Sequence, residues 1–301
     1  MIGNGIAGLI GNTPVIELRN LSAGLASKVL VKIEGANPSG SGKDRAALSM
    51  LRDAEAKGLI RPGGTIIEPT SGNTGISISM LAAAEGYRAV IVMPDTMSAE
   101  RISLMTAYGA EVVLTPGSEG MTGSIEKADE LAAERNGIIL RQFSNPANSK
   151  AHVTGTAKEI LEQVPDVYAV VAGIGTGGTA SGIGEGLRLY GSKAFVVGVE
   201  PAESPMITKG THGRHGIQGI GADFVPGNYR KEFIKEVVTV STDDAVRTAV
   251  RLAKEEGIFA GISSGAAVHA ALNMASEVRG RKILAILPDR GDRYISTGMF
   301  E

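Results

Sequence analysis

Three loops of this chain carry residues that could do chemistry together. Gly40-Ser41-Gly42-Lys43-Asp44 ends in a lysine that opens a helical pattern, Asp44-Arg45-Ala46-Ala47-Leu48. It is not a P-loop, because the first glycine of that motif falls on Asn37 and Asp44 stands where Mg²⁺ binding needs Ser or Thr. A helix N-terminus disfavours a cation, so its field lowers a lysine pKa and favours the neutral amine that attacks carbonyls. A solvated surface lysine is the plain alternative.

Gly173-Ile174-Gly175-Thr176-Gly177-Gly178-Thr179 follows an apolar run and opens another helix. Backbone N–H groups and the helix dipole can cradle an anionic phosphate there. The loop also fits the G-x-G-x-x-G dinucleotide fingerprint, and the next apolar run ends in Glu200, where a ribose-binding acid belongs. Both a dinucleotide and a phosphate monoester stay open at this point. Thr176 and Thr179 add hydroxyls suited to the monoester, and the chain loses its βα rhythm after Glu200.

Pro69-Thr70-Ser71-Gly72-Asn73-Thr74-Gly75 is dense with hydroxyl and amide donors, which suits a small carboxylate. An N-cap by Asn73 or Thr74 would account for part of it. Gly261-Ile262-Ser263-Ser264-Gly265 reads as a helix cap, and Pro288-Asp289-Arg290-Gly291-Asp292-Arg293-Tyr294 as an ion-paired turn. The histidines, His152, His212, His215 and His269, form no paired-ligand pattern, and no G-x-S-x-G elbow occurs. Metal and serine-hydrolase readings lack their residues.

The elements that must position these loops follow from the apolar pattern. Runs at 29–33, 65–68, 89–93, 111–114, 169–172, 195–199 and 283–287 are β-branched and non-alternating, as strands buried on both faces should be. Helical patterns lie near 44–57, 75–86, 98–108, 120–136, 149–163, 179–190, 242–256 and 265–278. Repeated βα units imply parallel sheets covered by helices, with ligands at the carboxyl ends of strands. Asn145-Pro146-Ala147-Asn148 is the linker candidate, and 201–235 reads as a long loop layer.

A chain of 301 residues has room for two domains. Its 41 glycines are about twice the usual share of roughly 7%, while 43% hydrophobic content excludes disorder. With 30 Lys+Arg against 32 Asp+Glu, no global basic field exists to hold a nucleic acid. The absence of cysteine removes disulfides, thiolate nucleophiles and Cys-ligated metals. Val167 to Gly184 is uncharged, but six glycines make it a poor membrane span. The start, Met1-Ile2-Gly3-Asn4-Gly5, lacks a signal-peptide pattern, so a cytoplasmic protein is expected.

An aldimine lysine, a phosphate cradle and a carboxylate loop together describe pyridoxal phosphate chemistry on an amino acid. Gly11-Asn12-Thr13-Pro14, Lys43-Asp44-Arg45, Thr70 to Gly75, Gln142-Phe143-Ser144-Asn145-Pro146-Ala147-Asn148, Gly175 to Thr179 and Ser263-Ser264-Gly265 occur in the order of a known family. The chain resembles the cysteine synthases (O-acetylserine sulfhydrylases) of the fold-type II pyridoxal phosphate enzymes, from about residue 7 to 300. The resemblance implies an α/β fold like the tryptophan synthase β-subunit: two three-layer domains with twisted, mostly parallel sheets, one over 39–147 and one over 1–38 plus 148–301.

It further implies that Lys43 is the Schiff-base lysine and the base for the Cα proton. Asn73 would bond the cofactor's phenolic oxygen, Gly175, Thr176, Gly177, Gly178 and Thr179 its phosphate, and Ser263 its ring nitrogen. Thr70, Ser71, Thr74, Gln142 and Gly219 would bind substrate. The implied reaction is β-replacement of O-acetyl-L-serine by sulfide, through an aminoacrylate, to give L-cysteine. His215-Gly216-Ile217-Gln218-Gly219-Ile220-Gly221-Ala222 is similar to the A-type enzymes, which serine acetyltransferase can dock. Glu34-Gly35-Ala36-Asn37-Pro38 and Asp289 to Tyr294 are similar to the B-type, which accept thiosulfate. Gly42 stands where the family usually has valine, which would loosen the turn. A homodimer is implied, without metal, membrane or nucleic-acid partners. Core-only cystathionine β-synthases, O-phosphoserine users and serine or threonine dehydratases share the scaffold. A nicotinamide dehydrogenase is the alternative of another class, and an arginine such as Arg214 or Arg230 at the site would favour a phosphorylated donor.

Overall fold

The computed structural model describes residues 5–70 and 72–300. Its strands are β1 (Val15–Glu17), β2 (Lys28–Ile33), β3 (Thr65–Pro69), β4 (Arg88–Pro94), β5 (Glu111–Thr115), β6 (Ile138–Ile139), β7 (Ala169–Gly173), β8 (Phe195–Pro201), β9 (Glu236–Val240) and β10 (Lys282–Leu287). Its α-helices are α1 (Lys43–Ala56), α2 (Asn73–Glu85), α3 (Ala99–Ala107), α4 (Gly120–Arg135), α5 (Pro146–Ala151), α6 (Ala157–Gln163), α7 (Gly178–Leu189), α8 (Met206–Lys209), α9 (Thr242–Glu256) and α10 (Ile262–Glu277).

Two sheets result. Strands β5-β4-β3-β6 form one parallel sheet, covered on one face by α1, α2 and α3 and on the other by α4. Strands β1-β2-β10-β7-β8-β9 form the second, parallel except for β1, with α9 and α10 on one face and α6 and α7 on the other. Both sheets therefore have the three-layer packing that parallel strands require. In the second, the chain leaves β7 towards β8 and returns as β10 on the opposite side of β7, so the carboxyl ends of β7 and β10 flank a switch point. The glycine loop leaves one of these ends and Pro288-Asp289 the other. Among the described residues no helix is long and apolar enough to cross a membrane.

Three local expectations change. β5 is a sheet edge and only partly buried, so its apolar run does not mean burial on both faces; β9, the edge of the other sheet and equally part-buried, is a strand beyond those expected. The single helix expected over 149–163 is three pieces, α5, a π-helical turn at His152–Thr156, and α6. Asn145–Asn148 is not a free linker: the Asn145 side chain caps α5, and Ala147 joins the core beneath α1. Between 201 and 235 regular structure is limited to α8 and a 3₁₀ turn at Lys231–Phe233, in keeping with a long loop layer.

Candidate active site

Lys43 is the first residue of α1, and the turn before it is pinned. The Gly42 N–H donates to Pro288 O at 2.8 Å. Arg293, 1% exposed, donates to Gly40 O at 3.0 Å and also to Ser39 O. The Gly42 turn is thus held on two sides. A Cβ there would stand 3.1 Å from Glu34 Oε2, so the missing valine leaves room that Glu34 fills. Burial lowers the Lys43 pKa, against the negative charges of Asp289 and Glu34. The direction is the one expected from the sequence, but desolvation and not the helix dipole is its main cause. Asp44, buried beside it, is pushed up by burial although Ser39 and Ser77 bond its carboxylate.

Asp289 joins three parts of the site. Its carboxylate Oδ2 accepts from Asn73 Nδ2 at 2.7 Å and from Tyr294 Oη at 2.8 Å, while its backbone oxygen accepts the Gly261 N–H at 3.2 Å. Ser263 therefore enters the site at the N-terminus of α10, two residues beyond Gly261 and itself buried. The expected ion-paired turn is corrected: Asp289 takes amide and phenol partners, and only Arg290 and Asp292 pair, at the surface. Asp289 Oδ1, Ser41 Oγ and Ser264 Oγ are buried here without a partner.

Asn73 begins α2, with Gly72 at the cap position and no side chain capping the helix. The N-cap reading of Asn73 and Thr74 fails because both side chains have other partners. Thr74 Oγ1 donates to Gln142 Oε1 at 2.6 Å, and Gln142 Nε2 donates to Pro69 O at 3.1 Å. Thr70 is buried, its hydroxyl accepting the Gly72 N–H. Ser71 lies outside the described residues. Behind Gln142 sits Glu68, wholly buried, whose pKa burial pushes up to about 7 against the pull of backbone N–H donors.

The glycine loop is shaped by close approaches. A Cβ on Gly175 would meet Gly219 O, and one on Gly178 would meet Asn148 Oδ1. Gly177 has φ +82°, and a Cβ there would lie 2.5 Å from Tyr229 N. Loop and neighbouring chain thus leave glycine as the residue that fits. Asn148 Nδ2 bonds Thr176 Oγ1 at 3.0 Å, and Thr179 Oγ1 meets His152 Nε2 at 3.2 Å. His152 also bonds Thr156 at 2.9 Å, inside the π-helical turn that breaks the expected helix. Burial, with Arg45 nearby, lowers its pKa to about 3, so the ring is neutral.

Glu200 does not await a ribose. Its carboxylate accepts the N–H groups of Ile207 and Thr208, at 2.7 and 3.0 Å, and the Thr208 hydroxyl. This capping of α8 removes the acid that supported the dinucleotide reading. Arg230 pairs with Glu185 and stacks over Phe233, and Arg214 is exposed. The arginine against Gly72 is Arg101, buried, donating to Gln218 Oε1 at 2.5 Å and lying where a Cβ on Gly72 would be.

Beside the Lys43 turn lies a buried charge cluster. Arg45 bonds Glu34 and Glu159 at 2.6 Å each, and Lys32 reaches Glu159 at 2.8 Å. Thr13, from the Gly11-Asn12-Thr13-Pro14 motif, donates to Glu34 at 2.7 Å. Arg293, Asp289, Glu68, Asn148 and His152 were not singled out as site residues from sequence. Asn148 lies in the 142–148 motif and Asp289 and Arg293 in the 288–294 turn; Glu68, immediately before Pro69, carries no local signal of its own.

Comparison with known proteins gives the family and agrees with the fold. The family model described as pyridoxal-phosphate dependent enzyme matches residues 6–289. A cysteine synthase of Staphylococcus aureus (strain Mu50 / ATCC 700699) is 48% identical over 298 residues, covering 98% of this chain and 96% of the relative. The crystal structure of an O-ureido-L-serine synthase superposes with a TM-score of 0.96 at 46% identity, covering 100% of this chain and 96% of that one. A hydrogen sulfide-producing enzyme from Fusobacterium nucleatum gives 0.94 at 42% identity, with coverage of 97% and 100%.

Proposed function

The chain belongs to the pyridoxal-phosphate dependent enzymes, and from that premise we propose that it makes L-cysteine from O-acetyl-L-serine and sulfide by β-replacement. The observation that carries this reading is the meeting at Pro288-Asp289 of the Lys43 turn, Asn73 and the start of α10. The residues suit the cofactor, since the glycine loop admits no Cβ at Gly175, Gly177 or Gly178 and, where the Lys43 turn meets Asp289 and the start of α10, buried oxygens of Ser41, Asp289 and Ser264 stand without partners.

When bound, pyridoxal phosphate supplies an aldehyde for an amine and a ring that accepts the electrons left by a departing Cα proton. Lys43 would be the amine that holds it. Desolvation favours the neutral form of the Lys43 amine, the form that can take a proton from the substrate Cα. Asn73 would donate to the phenolic oxygen, and the N–H groups and hydroxyls of Gly175, Thr176, Gly177, Gly178 and Thr179 would hold the phosphate. Ser263 would bond the ring nitrogen; a neutral hydroxyl would leave the ring a weaker electron sink than a carboxylate does, which suits loss of a β-leaving group. Thr70, Ser71, Thr74, Gln142 and Gly219 hold the substrate and keep water from it. The lysine and carboxylate loops would share a domain over 39–147, and the phosphate loop one over 1–38 plus 148–301. The active form would be a homodimer in the cytoplasm, able to be docked by serine acetyltransferase.

The nucleophile has a second reading, because a relative at 46% identity is named for making O-ureido-L-serine. A steady-state assay decides among donors and nucleophiles: O-acetylserine, O-phosphoserine or serine, each with sulfide or thiosulfate. Cysteine formed from O-acetylserine and sulfide at least tenfold faster than from the other pairs is expected. Pyruvate released without sulfide would assign a dehydratase, and preference for O-phosphoserine would replace the donor.

A further inference from the structure

Glu68 is wholly buried near the end of β3, and no step above uses it. Its two oxygens face two backbone donors: Oε1 accepts the Gln142 N–H at 2.9 Å and Oε2 the Arg141 N–H at 3.0 Å. Arg141 has φ +58°, in the left-handed region that a side chain disfavours. The same turn closes through the N–H groups of Ser144 and Asn145, which donate to Arg141 O at 3.0 and 2.9 Å.

Gln142 is gripped from its other side as well. Its carbonyl accepts from Asn148 Nδ2 at 2.7 Å and Asn228 Nδ2 at 2.9 Å. With the peptide clamped on both sides, the Gln142 side chain is presented to Thr74 at 2.6 Å. Above its pKa of about 7 the Glu68 side chain is a carboxylate that accepts at both oxygens, whereas the isosteric amide would turn an NH₂ towards one of these N–H groups. Strained backbone of this kind persists only where surrounding contacts over-determine it.

We propose that Glu68 is a positioning residue for the amino-acid substrate: its carboxylate holds Arg141 in the left-handed turn and so sets Gln142 against Thr74, where the substrate carboxylate binds. This rests on the reading of Thr74 and Gln142 as carboxylate-binding residues. It places the effect in donor binding and not in cofactor retention or the sulfide step. Because Arg141 is exposed and glycine adopts its backbone freely, Arg141→Gly should relieve the strain that Glu68 opposes.

The test uses holoenzyme of wild type, Glu68→Gln, Arg141→Gly and the double variant at about pH 8.5, where Glu68 is ionised. It reads the visible cofactor band, thermal midpoint, KM for O-acetylserine and for sulfide, kcat, and the dissociation constant of L-serine from its spectral shift. Expected for Glu68→Gln is an intact band, a KM for O-acetylserine and a dissociation constant for L-serine raised tenfold or more, and sulfide KM and kcat within about twofold. The double variant should recover most of the lost affinity. Unchanged donor affinity, an equal loss in both half-reactions, or no recovery with Arg141→Gly would overturn the proposal. If Glu68→Gln does not fold, Glu68→Asp takes its place, and failure of both to fold would overturn it in favour of a purely structural carboxylate. Wild type that is inert to O-acetylserine, yet shows the Glu68-dependent change in L-serine affinity, would overturn the named reaction and leave the positioning role standing.

Discussion

Arg293 Nη1 donates to Asn73 Oδ1 at 2.9 Å, and this bond decides which end of the Asn73 amide can donate. With Oδ1 engaged, Nδ2 donates to Asp289 at 2.7 Å and keeps a second proton, the one that the proposed reading assigns to the phenolic oxygen of pyridoxal phosphate. The same guanidinium holds the carbonyls of Ser39 and Gly40, so one buried arginine orients both Asn73 and the turn into Lys43.

Replacing Arg293 should therefore disturb cofactor binding and stability together. Arg293→Gln, with two N–H donors on a shorter side chain for the three oxygens of Ser39, Gly40 and Asn73, leaves at least one buried oxygen without a donor, at a cost of about 1–3 kcal/mol each. A fall in thermal midpoint is expected in the absence of cofactor, with a weaker affinity for pyridoxal phosphate by titration. Arg293→Lys, which keeps a donor and the charge, should recover part of the stability but not the amide orientation. An unchanged cofactor affinity in Arg293→Gln would refute the orienting role.

Glu159 is paired with Arg45 and Lys32, and although burial alone would raise its pKa, the Arg45 pairing holds it at about 2. Breaking a buried pair from one side costs about 3–5 kcal/mol, because the remaining charges are left buried. Glu159→Gln should lose stability of that order in urea unfolding at pH 7. The folded carboxylate releases its proton well below the 4.5 of the unfolded chain, so its contribution is complete above pH 4.5 and is lost as pH falls towards about 2. The variant should show a shallower acid dependence in that window, and a loss under about 1 kcal/mol at pH 7 would contradict the account.

His152 titrates in the opposite sense to a salt-bridged histidine. Burial holds its folded pKa near 3, below the 6.5 of the unfolded chain, so the unfolded state binds the extra proton between these values. Stability attributable to it is complete above pH 6.5 and falls as pH drops, by up to about 1.4 kcal/mol per pH unit. Comparing His152→Asn with wild type by urea unfolding from pH 7 to 5 should remove about one proton from the slope. Identical slopes would place the ring in contact with water.

What the sequence made legible was local. Lysine, glycine and hydroxyl residues within a few positions of one another, each following a β-branched run, fall at the carboxyl ends of strands, and the three-layer architecture follows from the alternation of runs and helical patterns. What stayed hidden depends on contacts far apart in the chain: Arg293 and Asn73 are 220 residues apart, and Glu68 and Gln142 are 74 apart. Periodicity carries no record of such pairs. Asp289 was visible only as a charged turn, because its partners, Asn73 and Tyr294, are neutral and no charge pattern marks them. The π-helical turn at His152 was hidden for a related reason, since its polar residues look like any amphipathic helix until Thr179 is folded against the ring.

The central claim is that Lys43 holds the cofactor and works on O-acetylserine in two half-reactions. The most direct measurement is the visible absorption spectrum of the purified protein with pyridoxal phosphate, before and after O-acetylserine and then sulfide, beside Lys43→Ala. The account requires a visible band that shifts to longer wavelength with O-acetylserine and returns with sulfide, and that does neither in the variant. A wild-type band unmoved by O-acetylserine, or a Lys43→Ala protein that completes the same cycle, would contradict it.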